Sequence, residues 1–112
     1  MLTSMSEETA KNVAVLVTCP GDRAPELARA VVAARLAACV NIVGEVRSIY
    51  TWKGEVCDDA ESLLVIKTRA SLFEALREKV VDLHPYDVPE VIALPIDKGH
   101  PEYLAWIEES TG

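Results

Sequence analysis

The chain has 112 residues, with 18 acidic and 11 basic side chains, a formal net charge of −7 and a hydrophobic fraction of 50%. That length builds one domain with its own core, and the apolar fraction excludes intrinsic disorder as the main state. The acidic balance, with Lys and Arg scattered singly, excludes general nucleic-acid binding, and no apolar run approaches the ~20 residues of a membrane span.

Residues 1–11 (MLTSMSEETAK) lack the basic start and apolar centre of a secretory signal and read as a flexible tail, leaving 12–112 as a single domain. Cys19, Cys39 and Cys57 are odd in number and show no CxxC spacing, which fits a reducing cytoplasm rather than a disulfide scaffold. Residues 12–18 (NVAVLVT) form a Val-rich run that predicts a buried strand. Cys19-Pro20-Gly21-Asp22 breaks it, and Asp22 stands where it can cap a helix over about 23–37. Pro25 is tolerated in that helix's first turn, and Leu27, Val31, Ala34 and Ala38 give it an apolar stripe.

Residues 39–52 (CVNIVGEVRSIYTW) and 55–68 (EVCDDAESLLVIKT) read as two long strands, with Lys53-Gly54 as a two-residue turn. The base of this hairpin, at Leu63–Ile66, is apolar on both faces; its tip is amphipathic. Ser71 and Glu74 fit a capping box for a helix over about 72–83, carrying Phe73, Leu76, Val80 and Leu83 and stopping before Pro85. Residues 91–96 (VIALPI) predict a strand whose Pro95 favours a sheet edge, and Pro101 opens a last helix. The class is α+β: a ferredoxin-like βαββαβ arrangement with a long central hairpin and a C-terminal helix. A 14-residue strand spans ~46 Å, whereas a compact chain of this length is only roughly 34 Å across. The hairpin therefore outreaches its own domain, and its wet Tyr50, Trp52 and Val56 point to cover by another subunit. A bulge or kink at Gly44 is the alternative that shortens the reach.

With these segments in place, the chain resembles the CutA family of divalent-cation-tolerance proteins. The resemblance lies in RLAACVNI (35–42), SIYTWKGEV (48–56), LLVIKT (63–68), HPYDVPEVIALPI (84–96) and YLAWI (103–107). It implies a ferredoxin-like subunit in a homotrimer, cytosolic, linked to tolerance of copper and other divalent cations, with no secure enzymatic activity. It also implies structural similarity to the nitrogen-regulatory PII proteins, which bind small effectors between subunits.

Copper(II) favours imidazole, thiolate and carboxylate donors, so His84 and Cys19 are the candidate ligands. His84 matches a family position implicated in copper binding, but the pattern's neighbouring His is Leu83 here and its strand Cys is Val17. Cys19 replaces that Cys only if the strand runs past Thr18; otherwise it is a loop thiol. For His84 the alternative is a cap on the last carbonyls of its helix. Cys39 reads as a small buried hydrophobe. Cys57 reads as solvent-facing, within an acidic group of Glu55, Asp58, Asp59 and Glu61 that is either a weak attractor of cations or, more commonly, a solvated strand end. Lys67, Tyr86 and Glu90 either line an intersubunit cleft or, for Lys67 and Glu90, pair with each other. Tyr50, Trp52 and Trp106 are expected to pack between subunits. No catalytic residue is nominated: Gly-rich phosphate loops, GxSxG, HExxH and recognisable Cys–His pairs are missing from the sequence. No cofactor is expected beyond a bound divalent cation. The expected partners are a second and third copy of the chain and the metal ion, with neither nucleic acid nor membrane. The runner-up is a PII-like trimeric module with an intersubunit pocket for a small anion.

Overall fold

The computed structural model describes residues 10–112, so the expected tail over 1–11 lies largely outside the described residues. Four strands and three α-helices follow in the expected order: β1 (Asn12–Cys19), α1 (Ala24–Ala33), β2 (Cys39–Trp52), β3 (Glu55–Arg69), α2 (Phe73–Leu83), β4 (Ile92–Pro95) and α3 (Pro101–Glu109). The sheet order is β2-β3-β1-β4 and every pairing is antiparallel, which is the ferredoxin-like arrangement with an added C-terminal helix. Among the described residues no helix is long and apolar enough to cross a membrane.

Alternation along β1 and β3 builds the core. Val13, Val15, Val17 and Cys19 stand opposite Thr68, Ile66, Leu64 and Ser62, and this face is buried against Leu27 and Val31 of α1 and Leu76 and Val80 of α2. The short β4 lies on the sheet edge, where Pro95 costs no ladder hydrogen bond. α3 docks where β1 begins and β3 ends: Arg69 donates to the hydroxyl (2.9 Å) and carbonyl (2.7 Å) of Thr111, and Ile107 is fully buried.

Several local expectations are corrected. Neither Asp22 nor Ser71 caps a helix. Asp22 is held inside a turn closed by the Arg23 N–H on the Pro20 carbonyl at 3.0 Å. Ser71 lies in a 3-10 turn, Ala70–Leu72, and Glu74 pairs with Arg77 at 3.0 Å instead of reaching back. α1 ends at Ala33 rather than 37, because Arg35 adopts a left-handed φ of 60°. The Leu36 N–H then bonds the Val31 carbonyl and the Arg35 N–H the Val32 carbonyl, both at 3.0 Å, in a Schellman closure. Ala34 is consequently exposed, and Ala37 takes the buried place.

The hairpin carries both features weighed from the sequence. Lys53 (φ 51°) and Gly54 (φ 81°) form the mirror-image turn that matches strand twist. A bulge sits between Val43 and Val46, at Gly44-Glu45. The arm still projects. β1 pairs with β3 only from Ser62 onward, so Glu55–Glu61 pair with β2 alone over roughly 23 Å. The radius of gyration is 14.9 Å, above the ~13 Å of a compact chain this long.

Candidate functional site

The projecting arm overhangs the loop between α2 and β4. Between them runs an open groove of about 720 Å³, lined by Thr18, Ser48–Tyr50, Trp52, Asp59, Glu61, Pro85–Val88 and Glu90. Strand alternation selects its carboxylates from the acidic group of β3. Asp59 and Glu61, two apart, share the groove face, whereas Asp58 turns away and forms a bidentate pair with Arg47 at 2.8 and 3.1 Å. Glu55, opposite Trp52, closes the arm's tip.

Hydroxyl donors hold these carboxylates. The Tyr86 hydroxyl donates to Glu61 at 2.7 Å, the Tyr50 hydroxyl to Asp59, and the Thr18 hydroxyl to Glu90 at 3.5 Å. The phenols respond to that environment. Tyr50 is pushed up to about 12, chiefly by its bond to Asp59, while burial and then the Glu61 bond raise Tyr86 well above the ordinary tyrosine value. The lining includes four carboxylates, Asp59, Glu61, Asp87 and Glu90, and no Lys, Arg or His side chain.

His84 lies behind the groove and is buried. It closes α2 with its own N–H on the Val80 carbonyl, yet its ring does not cap that helix. Nε2 donates to the Thr18 carbonyl at 2.8 Å and Nδ1 accepts the Tyr86 N–H at 3.1 Å, a pattern that fixes the tautomer. Both ring nitrogens are thus engaged, and a metal at Nδ1 has to displace the Tyr86 amide. β1 does persist past Thr18, which brings Cys19 onto the face of Val17; that face is the core, and the thiol is fully buried. Burial, with a contribution from Glu61, pushes the Cys19 thiol up, away from the thiolate that binds metal. Among the described residues no three His, Cys, Asp or Glu side chains come together closely enough to hold a metal ion.

Of the three cleft residues named from sequence, Tyr86 and Glu90 meet here and Lys67 does not. Lys67 lies six residues further along β3, where its ammonium bonds Asn41 Oδ1, so it does not pair with Glu90. Tyr50 and Trp52 line the groove, half-exposed; Trp106 is on α3 beside Tyr103, ring centroids 5.5 Å apart. Thr18 and Asp87 were not singled out from sequence. Asp87 stands between Tyr86 and Glu90 in the HPYDVPE string, but only the fold brings Thr18 to Glu90.

The family model described as CutA1 divalent ion tolerance protein matches residues 13–110. Protein CutA of Mus musculus is 54% identical over 99 residues, which are 88% of this chain and 56% of the mouse protein. Protein CutA, chloroplastic, of Arabidopsis thaliana is 51% identical over 107 residues, 95% of this chain and 59% of that protein. The solved structure of a divalent cation tolerance protein (Cut A1) from Thermus thermophilus superposes with a TM-score of 0.88 at 52% identity, covering 90% of this chain and 99% of that one. The chain therefore spans a little over half the length of the mouse and plant relatives.

Proposed function

Because the chain belongs to the CutA1 divalent ion tolerance family, we propose that it binds divalent metal ions, copper(II) foremost, and contributes to metal tolerance by binding or sensing rather than turnover. The observation that carries this reading is the groove, with four carboxylates and no cationic side chain in its lining. Oxygen donors suit many divalent ions, and copper(II) heads the usual affinity order for a given donor set. Both ring nitrogens of His84 are engaged and the Cys19 thiol is buried in the core, so the carboxylates are the better candidates.

The reading includes a homotrimer. Ile49 is 65% exposed and Val56 77% on an arm that extends past its own domain, and a neighbouring copy would cover them together with Tyr50 and Trp52; Trp106 is a further candidate contact. The same copy would supply the donors that one chain lacks. A pocket for a small anion is less favoured, since Lys67 is held by Asn41 and the groove is acidic throughout. We place the protein in the cytoplasm, in keeping with three free cysteines, and cell fractionation tests that placement.

Calorimetric titration of copper(II) into the wild type and into Glu61→Gln/Glu90→Gln tests the site. At least about tenfold weaker binding in the double variant is expected, the two charges having been worth ~1.4 kcal/mol or more together. Equal affinity would overturn the groove as the metal site. Light scattering should return about 37 kDa for three chains of 12.2 kDa; a particle of 12.2 kDa would overturn the trimer.

A further inference from the structure

The family resemblance puts a metal ligand at His84, and the bonds around the ring give that residue different work. Two of the three positions in the family pattern are aliphatic here: Val17 is fully buried in the core and Leu83 packs against it. His84 itself is buried, its ring centroid 4.6 Å from that of Tyr86. Nε2–H donates to the Thr18 carbonyl at 2.8 Å, a contact that a ligand histidine also makes to fix its ring. The other nitrogen differs. A metal needs the lone pair on Nδ1, and that lone pair accepts the Tyr86 N–H at 3.1 Å.

The ring helps to hold a loop at both ends and in the middle. At its first residue the loop after α2 meets the Thr18 carbonyl through His84; at Glu90 it accepts the Thr18 hydroxyl at 3.5 Å. Between these points the Tyr86 hydroxyl reaches Glu61 at 2.7 Å. Glu61 marks the root of the arm. Ser62 is the first β3 residue paired with β1, and Glu61 stands opposite Val46, in the first pair beyond the bulge. A continuous series of bonds thus runs from the end of β1 through His84 and Tyr86 to the point where the arm leaves the sheet. Two strands alone are marginally stable, so the direction of the arm depends on supports at its root. That direction decides where the exposed Ile49 and Val56 are presented.

We propose that His84 is a positioning residue that braces the root of the arm through Tyr86, in place of the metal ligand that the family pattern sets at this position. The brace is independent of what binds in the groove, because every bond in the series is internal to one chain. A histidine used in this way needs no second imidazole or thiolate beside it, which agrees with Leu83 and Val17.

Nitrogen-15 NMR of the metal-free wild type, with His100→Gln assigning the signals, should show His84 as the Nε2–H tautomer. Zinc chloride should leave both ring signals in place; zinc shares the preference of copper for imidazole and is diamagnetic. A zinc-induced shift at Nδ1, or the Nδ1–H tautomer, would overturn the brace. Hydrogen exchange separates the two links. His84→Ala should speed exchange of the Tyr86 amide and of the arm amides around Glu61 about tenfold each. Tyr86→Phe keeps the bonds of the ring and cuts the link to Glu61, so the arm amides should speed up while the amide of position 86 stays protected. Unchanged arm amides in both variants, or acceleration spread equally over the core strands, would also overturn it. If His84→Ala does not fold, Tyr86→Phe and the wild-type spectra decide. Zinc bound without movement of His84 upholds the brace and the metal reading together. With no divalent ion bound at all, the brace stands and the metal reading falls; with zinc on His84 the reverse holds.

Discussion

The Tyr86 hydroxyl reaches Glu61 at 2.7 Å and joins the loop after α2 to strand β3 across 25 positions of sequence. Glu61 is buried and accepts this bond as its one side-chain partner among the described residues. Removing the donor leaves a desolvated carboxylate without compensation. Tyr86→Phe should therefore cost about 1.5–3 kcal/mol, measured by urea unfolding at fixed protein concentration. A loss below ~0.5 kcal/mol would mean that Glu61 has water as a ready substitute.

All three tyrosines of the chain, Tyr50, Tyr86 and Tyr103, are held above the ordinary phenol value of 10.0. Tyr50 rises through its bond to Asp59, the other two first through burial. A raised folded-state value favours the protonated phenol, so its contribution is complete below the unfolded value and fades as pH climbs through the folded one. Absorbance at the phenolate band should stay low at pH ~10 in the native protein and rise at once on adding denaturant. Half-ionisation of the native phenols at pH 10 would contradict the geometry. The stability gap between wild type and Tyr86→Phe should also narrow as pH rises above about 10.

Arg35 performs two opposed tasks. Its backbone takes a left-handed φ of 60° to close α1, while its side chain donates to the carbonyls of Glu109 at 3.1 Å and Gly112 at 3.2 Å. Arg35→Ala keeps the strain and loses the bonds; Arg35→Gly loses the bonds and relieves the strain. Thermal melts should rank wild type above Arg35→Gly, and Arg35→Gly above Arg35→Ala by about 1 kcal/mol. The reverse order of the two variants would show that the turn carries no strain.

Core and arm should separate in their effects. Leu64→Ala removes a fully buried side chain and should cost about 2.7–5 kcal/mol of stability. Val56→Lys changes an exposed arm residue and should leave the intrinsic fold within about 0.5 kcal/mol while lowering the particle mass in light scattering. An unchanged mass would show that Val56 is not in the interface.

The order of elements was legible because each carries a strong local signal: Val-rich β1, the Lys53-Gly54 turn, the 3-4 spacing of Phe73, Leu76, Val80 and Leu83, and Pro101 at a helix start. The caps were not. Asp22 and Ser71 have side chains suited to capping, but neighbouring turns engage the backbone differently, and the geometry of a turn depends on the residues downstream of it. Within the groove, Tyr86 and Glu90 were legible from one short string, whereas Thr18 enters only through strand pairing. Lys67 shares only its chemistry with them; its position opposite Cys39 in the ladder takes it to the other end of the sheet.

The bulge at Gly44-Glu45 acts on the arm as a change of reading frame. Before it, Cys39, Asn41 and Val43 stand opposite Lys67, Val65 and Leu63; beyond it, Val46, Ser48, Tyr50 and Trp52 stand opposite Glu61, Asp59, Cys57 and Glu55. Odd positions hand one face of the ribbon to even ones. Were the same residues to pair with β3 without the bulge, strict alternation from Val43 would turn Tyr50 and Trp52 outward and bring Arg47, Thr51 and Lys53 to the groove side. Two cations would then face the carboxylates where two aromatic rings now stand, and the groove would neutralise itself. One bulge, directly before the Val46–Glu61 pair, thus sets which sign of charge this face can accept.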